Sequence, residues 1–206
     1  MPKNFYLNAF FKVIEIGTFM DDEKRKHLSK IIKVKSVKKG EAILKEGMPC
    51  RHLFFLCKGL FRSFYTSEEG KEITSAFSFE NEFFTNIKGF INGINSNETI
   101  VAQENSYICV IDRTDYYNLL KNNSSLAFYS HEVINKHRVE LEDRIRFLQN
   151  GIAKDKLKFF EEYYPGLSER IPKKYIATFL GMRYETMHRA SKSKIEEARQ
   201  KKSKLV

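Results

Sequence analysis

Residues 172–190 read PKKYIATFLGMRYETMHRA, and no other stretch says as much about the fold. Pro172 suits the first position of a helix, where its missing N–H costs nothing. Tyr175, Ile176, Phe179 and Leu180 fall at i, i+1, i+4 and i+5, one apolar face of that helix. Ala177 is small where a second helix would cross, and Gly181 ends the first helix and permits a sharp turn. Met182, Met187 and Ala190 then face inward on a second helix beginning near Arg183, which turns Tyr184, Glu185, His188, Arg189 and Lys192 outward. A small residue, a glycine and a buried apolar residue in this order are the spacing of a helix-turn-helix. An ordinary helical hairpin shares the small residue and the glycine, so the surroundings must decide between them.

Charge supplies those surroundings. The 206-residue chain carries 36 Lys and Arg against 26 Asp and Glu, a net charge of +10. Residues 1–150 hold 22 basic and 19 acidic residues, whereas residues 151–206 hold 14 and 7. The excess thus sits around the motif, and a basic segment expects a polyanion, because Lys and Arg release counterions from phosphates. Residues 192–204, KSKIEEARQKKSK, read by themselves equally well as a solvated tail. Charge alone does not separate nucleic acid from an anionic membrane, but charge on the exposed face of a helix-turn-helix favours DNA. Lys173 and Lys174, opening the first helix, are candidate phosphate contacts.

Outward from the motif the texture changes three times. Residues 153–171 continue the basic helical unit, with Leu157, Phe159, Phe160 and Tyr163 as an apolar face and Tyr164-Pro165-Gly166 as a turn. Before it, Leu126, Tyr129, Val133, His137, Leu141, Ile145 and Leu148 step by three or four within a long helix over 114–150. Glu140, Glu142, Asp143, Arg144 and Arg146 lie beside this seam, which is expected to pair with a second copy or else to cover its own sheet. Asn150-Gly151 is expected to stop the helix in a left-handed cap. Residues 36–113 hold short apolar or alternating runs at 42–44, 53–56, 60–65, 73–77 and 107–111, punctuated by Gly40, Gly47, Gly59 and Gly70. Such spacing reads as an antiparallel sandwich or roll. Residues 5–34 read as two helices, the second opened by Asp21, Asp22 and Glu23.

Composition excludes several classes. Hydrophobic residues make up 42% and charged residues 30%, so a core is available; with 18 Phe, 10 Tyr and no Trp it is aromatic. No run of 18 apolar residues occurs, and the first residues lack a signal-peptide pattern, so no membrane span is expected and the cytoplasm is the expected location. Three cysteines, Cys50, Cys57 and Cys109, are too few for a disulfide framework or a four-ligand zinc site; Cys50 and Cys57 lie near one hairpin and could pair. The five histidines fall on different elements, and no metal site is expected. No P-loop, Ser/His/Asp grouping or carboxylate pair stands out, so the chain is not expected to be an enzyme.

Three stretches together resemble the Crp/Fnr transcription factors. They are KKGEAILKEGMPCRHLFFLCKGLFRSFYTSEEGKEI at 38–73, the long helix, and Arg183-Tyr184-Glu185-Thr186-Met187-His188-Arg189 in the motif. The resemblance spans residues 20–192 in domain order. It implies an α+β chain. Residues 1–123 would form an N-terminal antiparallel β-roll, a cupin-like double-stranded jelly roll with flanking helices. Residues 124–150 would form a dimerisation helix, and residues 151–206 a winged-helix-like helix-turn-helix domain. The wing is either incomplete or carried by the segment before Pro172. It also implies that Glu185 and Arg189 read base edges and that Thr186 contacts phosphate, with double-stranded DNA, a second copy and RNA polymerase as partners. The chemistry agrees: a guanidinium can fork onto guanine O6 and N7, and a carboxylate accepts from cytosine N4.

In the family's cyclic-nucleotide binders a Gly-Glu pair and an Arg followed by Ser or Thr hold the phosphate. Thr85 and Asn86 stand at the first pair, and Asn97 or Glu98, followed by Thr99, at the second. Lys88 offers a point charge at a shifted position. A carboxylate facing a phosphodiester is repulsive, so cyclic AMP is not the expected effector. The expectation is no cofactor, with Thr85, Asn86, Lys88, Glu98 and Thr99 lining a pocket for a different small molecule if any. A non-DNA sensor module built on the roll is the alternative.

Overall fold

The structure is a computed structural model and describes residues 3–192; the basic stretch read as a tail lies outside these residues beyond Lys192. It divides into two compact units, Met1–Lys71 with Ser75–Ile134, and Glu72–Thr74 with Asn135–Val206.

The first unit opens with α1 (Lys3–Gly17) and α2 (Asp22–Ile31). Asp21 caps α2 by accepting the Lys24 N–H at 2.8 Å, so the acidic break does what its position suggested. Eight strands follow: β1 (Lys33–Val37), β2 (Ala42–Leu44), β3 (His52–Lys58), β4 (Phe61–Thr66), β5 (Glu72–Ser78), β6 (Phe83–Phe84), β7 (Thr99–Ala102) and β8 (Ser106–Asp112). One sheet has the order β1-β8-β3-β6 and the other β2-β7-β4-β5. A short helix, α3 (Ile87–Asn92), lies between β6 and β7. Then come α4 (Arg113–Asn122) and α5 (Ser124–Asn150). The helical region over 114–150 is therefore two helices divided at Asn123, which leaves the helical conformation and accepts the Leu126 N–H through Oδ1.

The continuous apolar runs of β3 and β8 have a physical reason: both faces of their sheet are covered. Along β3, Phe54 and Leu56 point into the roll with Phe61, Phe84, Ile100 and Ile108. Phe55, between them, points the other way, and with Cys109 and Ile111 it meets Leu7, Phe10, Phe11 and Ile14 of α1. Phe10 sits edge-on to Phe55, with ring centroids 5.3 Å apart. Inside the roll, Phe84 lies 5.4 Å from Phe54 and 5.1 Å from Phe61. β1, β6 and β7 do not stand out in the sequence: β1 is mostly polar, β6 is two residues long, and β7 is four residues long behind the polar stretch 95–98.

The second unit holds the rest of α5, then α6 (Ala153–Tyr163), α7 (Leu167–Arg170), α8 (Lys173–Phe179) and α9 (184–192). Three local expectations need correction. Gly151 ends α5 without a positive φ; a Cβ there would lie 2.5 Å from the Phe147 carbonyl oxygen, so the glycine serves a close approach. Pro172 sits one position earlier than expected, as the cap residue before α8. The segment before Pro172 carries no wing: it is α6 and α7, and no strand follows β8 among the described residues. Leu157, Phe160, Tyr164, Leu167 and Ile171 are spaced for helix and turn, and all are buried.

Gly40 and Gly59 both adopt positive φ, at 85° and 112°, yet they differ in surroundings. A Cβ at Gly40 meets nothing within 4 Å, whereas one at Gly59 would sit 2.9 Å from the Ser106 Cα. Gly40→Ala should cost about 1 kcal/mol, the ordinary left-handed penalty. Gly59→Ala should cost about 2–4 kcal/mol, because backbone must also move. Urea denaturation of the two variants side by side checks the order.

Candidate nucleic-acid interface and ligand cassette

The turn between α8 and α9 is built by its own hydrogen bonds. Gly181, at φ 60°, donates its N–H to the Thr178 carbonyl at 3.2 Å, and Met182 donates to Ala177 at 2.9 Å. This pair is a Schellman motif, which satisfies two carbonyls that the end of α8 would otherwise leave open. The Arg183 carbonyl then accepts the Met187 N–H at 3.1 Å and starts α9. Ile176, Ala177, Phe179, Leu180 and Met187 are buried, as expected for the inner side of a helix-turn-helix. Phe179 meets Phe160 and Tyr164 edge-on, at 5.8 and 5.5 Å between centroids.

On α9 the structure exposes Tyr184, Glu185, Arg189 and Lys192, with Arg183 just before them. Lys173 and Lys174 are exposed in the first turn of α8. Thr186 is half-buried. His188, expected outward, is half-buried too: its ring stacks on Tyr184 at 6.1 Å, and its Nδ1 is buried without a hydrogen-bond partner. Met182 and Ala190, expected inward, are half-buried.

The sequence reading missed what braces this motif. Arg144 donates to the Phe179 carbonyl at 2.9 Å and lays its guanidinium over the Phe179 ring at 3.8 Å. Tyr163 donates its hydroxyl to Asp143, and Tyr164 to Glu140. The Asp143 carboxylate accepting this bond raises the Tyr163 pKa. Glu140 and Asp143, beside the expected seam, hold Tyr164 and Tyr163 at the end of α6, and Arg144 alone of the three reaches the motif itself. Their spacing at i, i+3 and i+4 was a signal, but a charged face does not announce what it meets.

The seam itself divides. Leu126 is buried in the core beneath α1, and Tyr129 packs there, donating its hydroxyl to the Val13 carbonyl. Further along, Ile134, Leu141 and Ile145 are 44%, 48% and 53% exposed. They lie at i, i+7 and i+11, a single stripe on α5.

In the roll, Asn86 ties Asn97 and Glu98 together at the start of α3, while the other candidate pocket residues bond elsewhere or not among themselves. Asn86 is buried and caps α3, accepting the Gly89 N–H at 2.8 Å. Its Nδ2 donates to Asn97 Oδ1 and Glu98 Oε2, each at 2.8 Å. Thr85 donates to the His52 carbonyl at 2.8 Å, and Thr99 accepts the Glu46 N–H at 3.1 Å. Lys88 is exposed and joins none of these bonds. Arg113, unforeseen, forks onto the Phe90 and Ile91 carbonyls at the end of α3. Cys50 and Cys57 do not pair: Cys50 lies 3.3 Å from the Thr85 hydroxyl, and Cys57 lies 3.5 Å from Cys109. No group of metal-binding side chains occurs among the described residues, and no described helix is long and apolar enough to cross a membrane.

Residues 34–123 match the model of the cyclic nucleotide-binding domain family. No curated protein matches the chain. Among solved structures, FixK2 from Bradyrhizobium japonicum superposes with a TM-score of 0.71 at 17% identity, covering 82% of this chain and 86% of its own. A regulator of the Crp/Fnr family from Eubacterium rectale gives 0.67 at 22% identity, covering 86% and 85%. The regulator CLP of Xanthomonas campestris, which responds to c-di-GMP, gives 0.69 at 13% identity, covering 86% and 93%. The chain therefore carries a cyclic nucleotide-binding-type domain at residues 34–123 and has the fold of the Crp/Fnr transcriptional regulators.

Proposed function

We propose that this chain is a sequence-specific DNA-binding transcriptional regulator, active as a homodimer and not an enzyme, whose effector is not cyclic AMP. The observation that carries this reading is the outer face of α9: Glu185 and Arg189 are exposed one turn apart beside Tyr184 and Lys192, in the most basic part of the chain. Two copies joined along α5 would set two such helices on one face of the duplex, about 34 Å apart. The relatives being regulators supports the same reading, and RNA polymerase is the further partner we propose.

Arg189→Ala should weaken specific binding by about 1–3 kcal/mol and relax preference at one base pair. Lys173→Ala and Lys174→Ala should weaken binding to any sequence alike and lower the salt slope by about one unit each. Fluorescence anisotropy on the chain's own upstream DNA and on random DNA distinguishes these outcomes. Equal loss on both by Arg189→Ala would reduce α9 to a basic surface.

For the dimer, Leu141→Asp with Ile145→Asp should give monomers that keep the helical content of the parent. Light scattering at micromolar concentration reads this directly, and a monomeric parent would remove the proposed pairing.

Cyclic AMP should leave the melting temperature unchanged. Its phosphodiester would face the Glu98 carboxylate, and two like charges at 4 Å repel by about 4 kcal/mol at an effective dielectric of about 20. A ligand at a hundredfold excess over its Kd would add about 2.7 kcal/mol of stability. An upward shift with millimolar cyclic AMP, absent with AMP, would contradict the reading of the cassette.

A further inference from the structure

The geometry points to a redox-active dithiol, Cys57 and Cys109, that a hydroperoxide oxidises to an intramolecular disulfide. The two thiols lie on neighbouring strands of the sheet under α1, with Sγ atoms 3.5 Å apart. The β3–β8 register shifts between Leu56 and Lys58, so Cys57 is the extra residue of a bulge. A bulged residue is not held by the ladder on both sides, which gives it the freedom to close the remaining gap to the roughly 2.05 Å of an S–S bond. The two thiols also differ in access. Cys109 is fully buried, whereas Cys57 is half-buried beside α1, with its Sγ 3.6 Å from the Tyr6 carbonyl.

This asymmetry assigns the roles. Cys57, the accessible thiol, is the one a peroxide reaches; Cys109, behind it, is the one that resolves the product. The hydrogen-bonding contact with Cys109 shifts the Cys57 pKa downward, which favours the attacking thiolate. In the first step the Cys57 thiolate attacks one peroxide oxygen and the O–O bond breaks. The alcohol, or water from hydrogen peroxide, leaves with a proton, and Cys57 becomes a sulfenic acid. In the second step Cys109 sulfur attacks Cys57 sulfur, the S–S bond forms, the S–O bond breaks, and water leaves with the thiol proton. Two thiols lose two electrons, and one hydroperoxide gains them. A thiol reductant reverses the change by exchange. Cys50 takes no part, since its neighbours are Thr85 and the Asn86 carbonyl.

The test uses the reduced full chain and a small excess of hydrogen peroxide, followed by alkylation and peptide mapping. Titratable thiols should fall from three to one, with a single cross-linked peptide joining Cys57 to Cys109 and a return to three on adding dithiothreitol. Cys109→Ser should trap the sulfenic acid at Cys57, captured by dimedone, whereas Cys57→Ser should slow peroxide consumption by on the order of tenfold or more. A disulfide containing Cys50, or three thiols alkylating and oxidising at the rates they show in urea, would overturn the assignment, and neither readout needs a variant. Binding to DNA plays no part in these measurements, so failure of the regulatory reading leaves them unaffected.

Discussion

β3 and β8 must bury both of their faces at once, and the rest of the first unit follows from that demand. The inward residues Phe54, Leu56 and Ile108 need a second sheet to cover them, which closes the roll. The outward residues Phe55, Cys109 and Ile111 need a helical layer, which α1 supplies through Leu7, Phe10, Phe11 and Ile14. A sheet with one wet face would have shown alternation in these strands. Here the alternation is hidden in the sequence because residues 53–57 and 107–111 run without a charged or strongly polar side chain, and only the two core clusters reveal it. Fully burying a Phe is favourable by about 1.5–3 kcal/mol, so each ring of the paired aromatic layers adds a contribution of that order against the chain entropy of the unit.

The parts legible in the sequence were those with a period or a required conformation. The helix-turn-helix was readable because Gly181 must take a positive φ and because Ala177, Met187 and the Ile176–Phe179 face are fixed by helix geometry. The glycine-punctuated strands were readable for the same reason. What escaped was long-range and polar. That Arg144 reaches Phe179, or that Asn86 binds Asn97 and Glu98, depends on which residues the fold brings together, and no local pattern carries that information. His188 illustrates the converse: its helical position was right, but burial depends on how deep α9 sits, and here its ring turns to Tyr184. Nearness in sequence offers Cys50 and Cys57 as a possible pair, whereas strand order puts Cys57 beside Cys109.

The long helix α5 does different work along its length. Its first turns belong to the roll through Leu126 and Tyr129, and its last turns hold α6 and α8 through Glu140, Asp143 and Arg144. Between and beside these contacts it leaves an aliphatic stripe uncovered. A single apolar periodicity could not express three surfaces, which is why the seam read from sequence mixed residues that the structure assigns to different neighbours.

The network at the start of α3 bears on how such a domain can change over evolutionary time. Asn86 is the buried member of this set and its Nδ2 relies on Asn97 and Glu98, so altering either partner leaves it a bond short, and a buried polar group left unmade costs about 1–3 kcal/mol. A lineage acquiring an Arg at position 98 alone would therefore pay in stability before it gained a phosphate ligand. A change of ligand at this cassette is therefore least costly when Asn86 and Glu98 are replaced together.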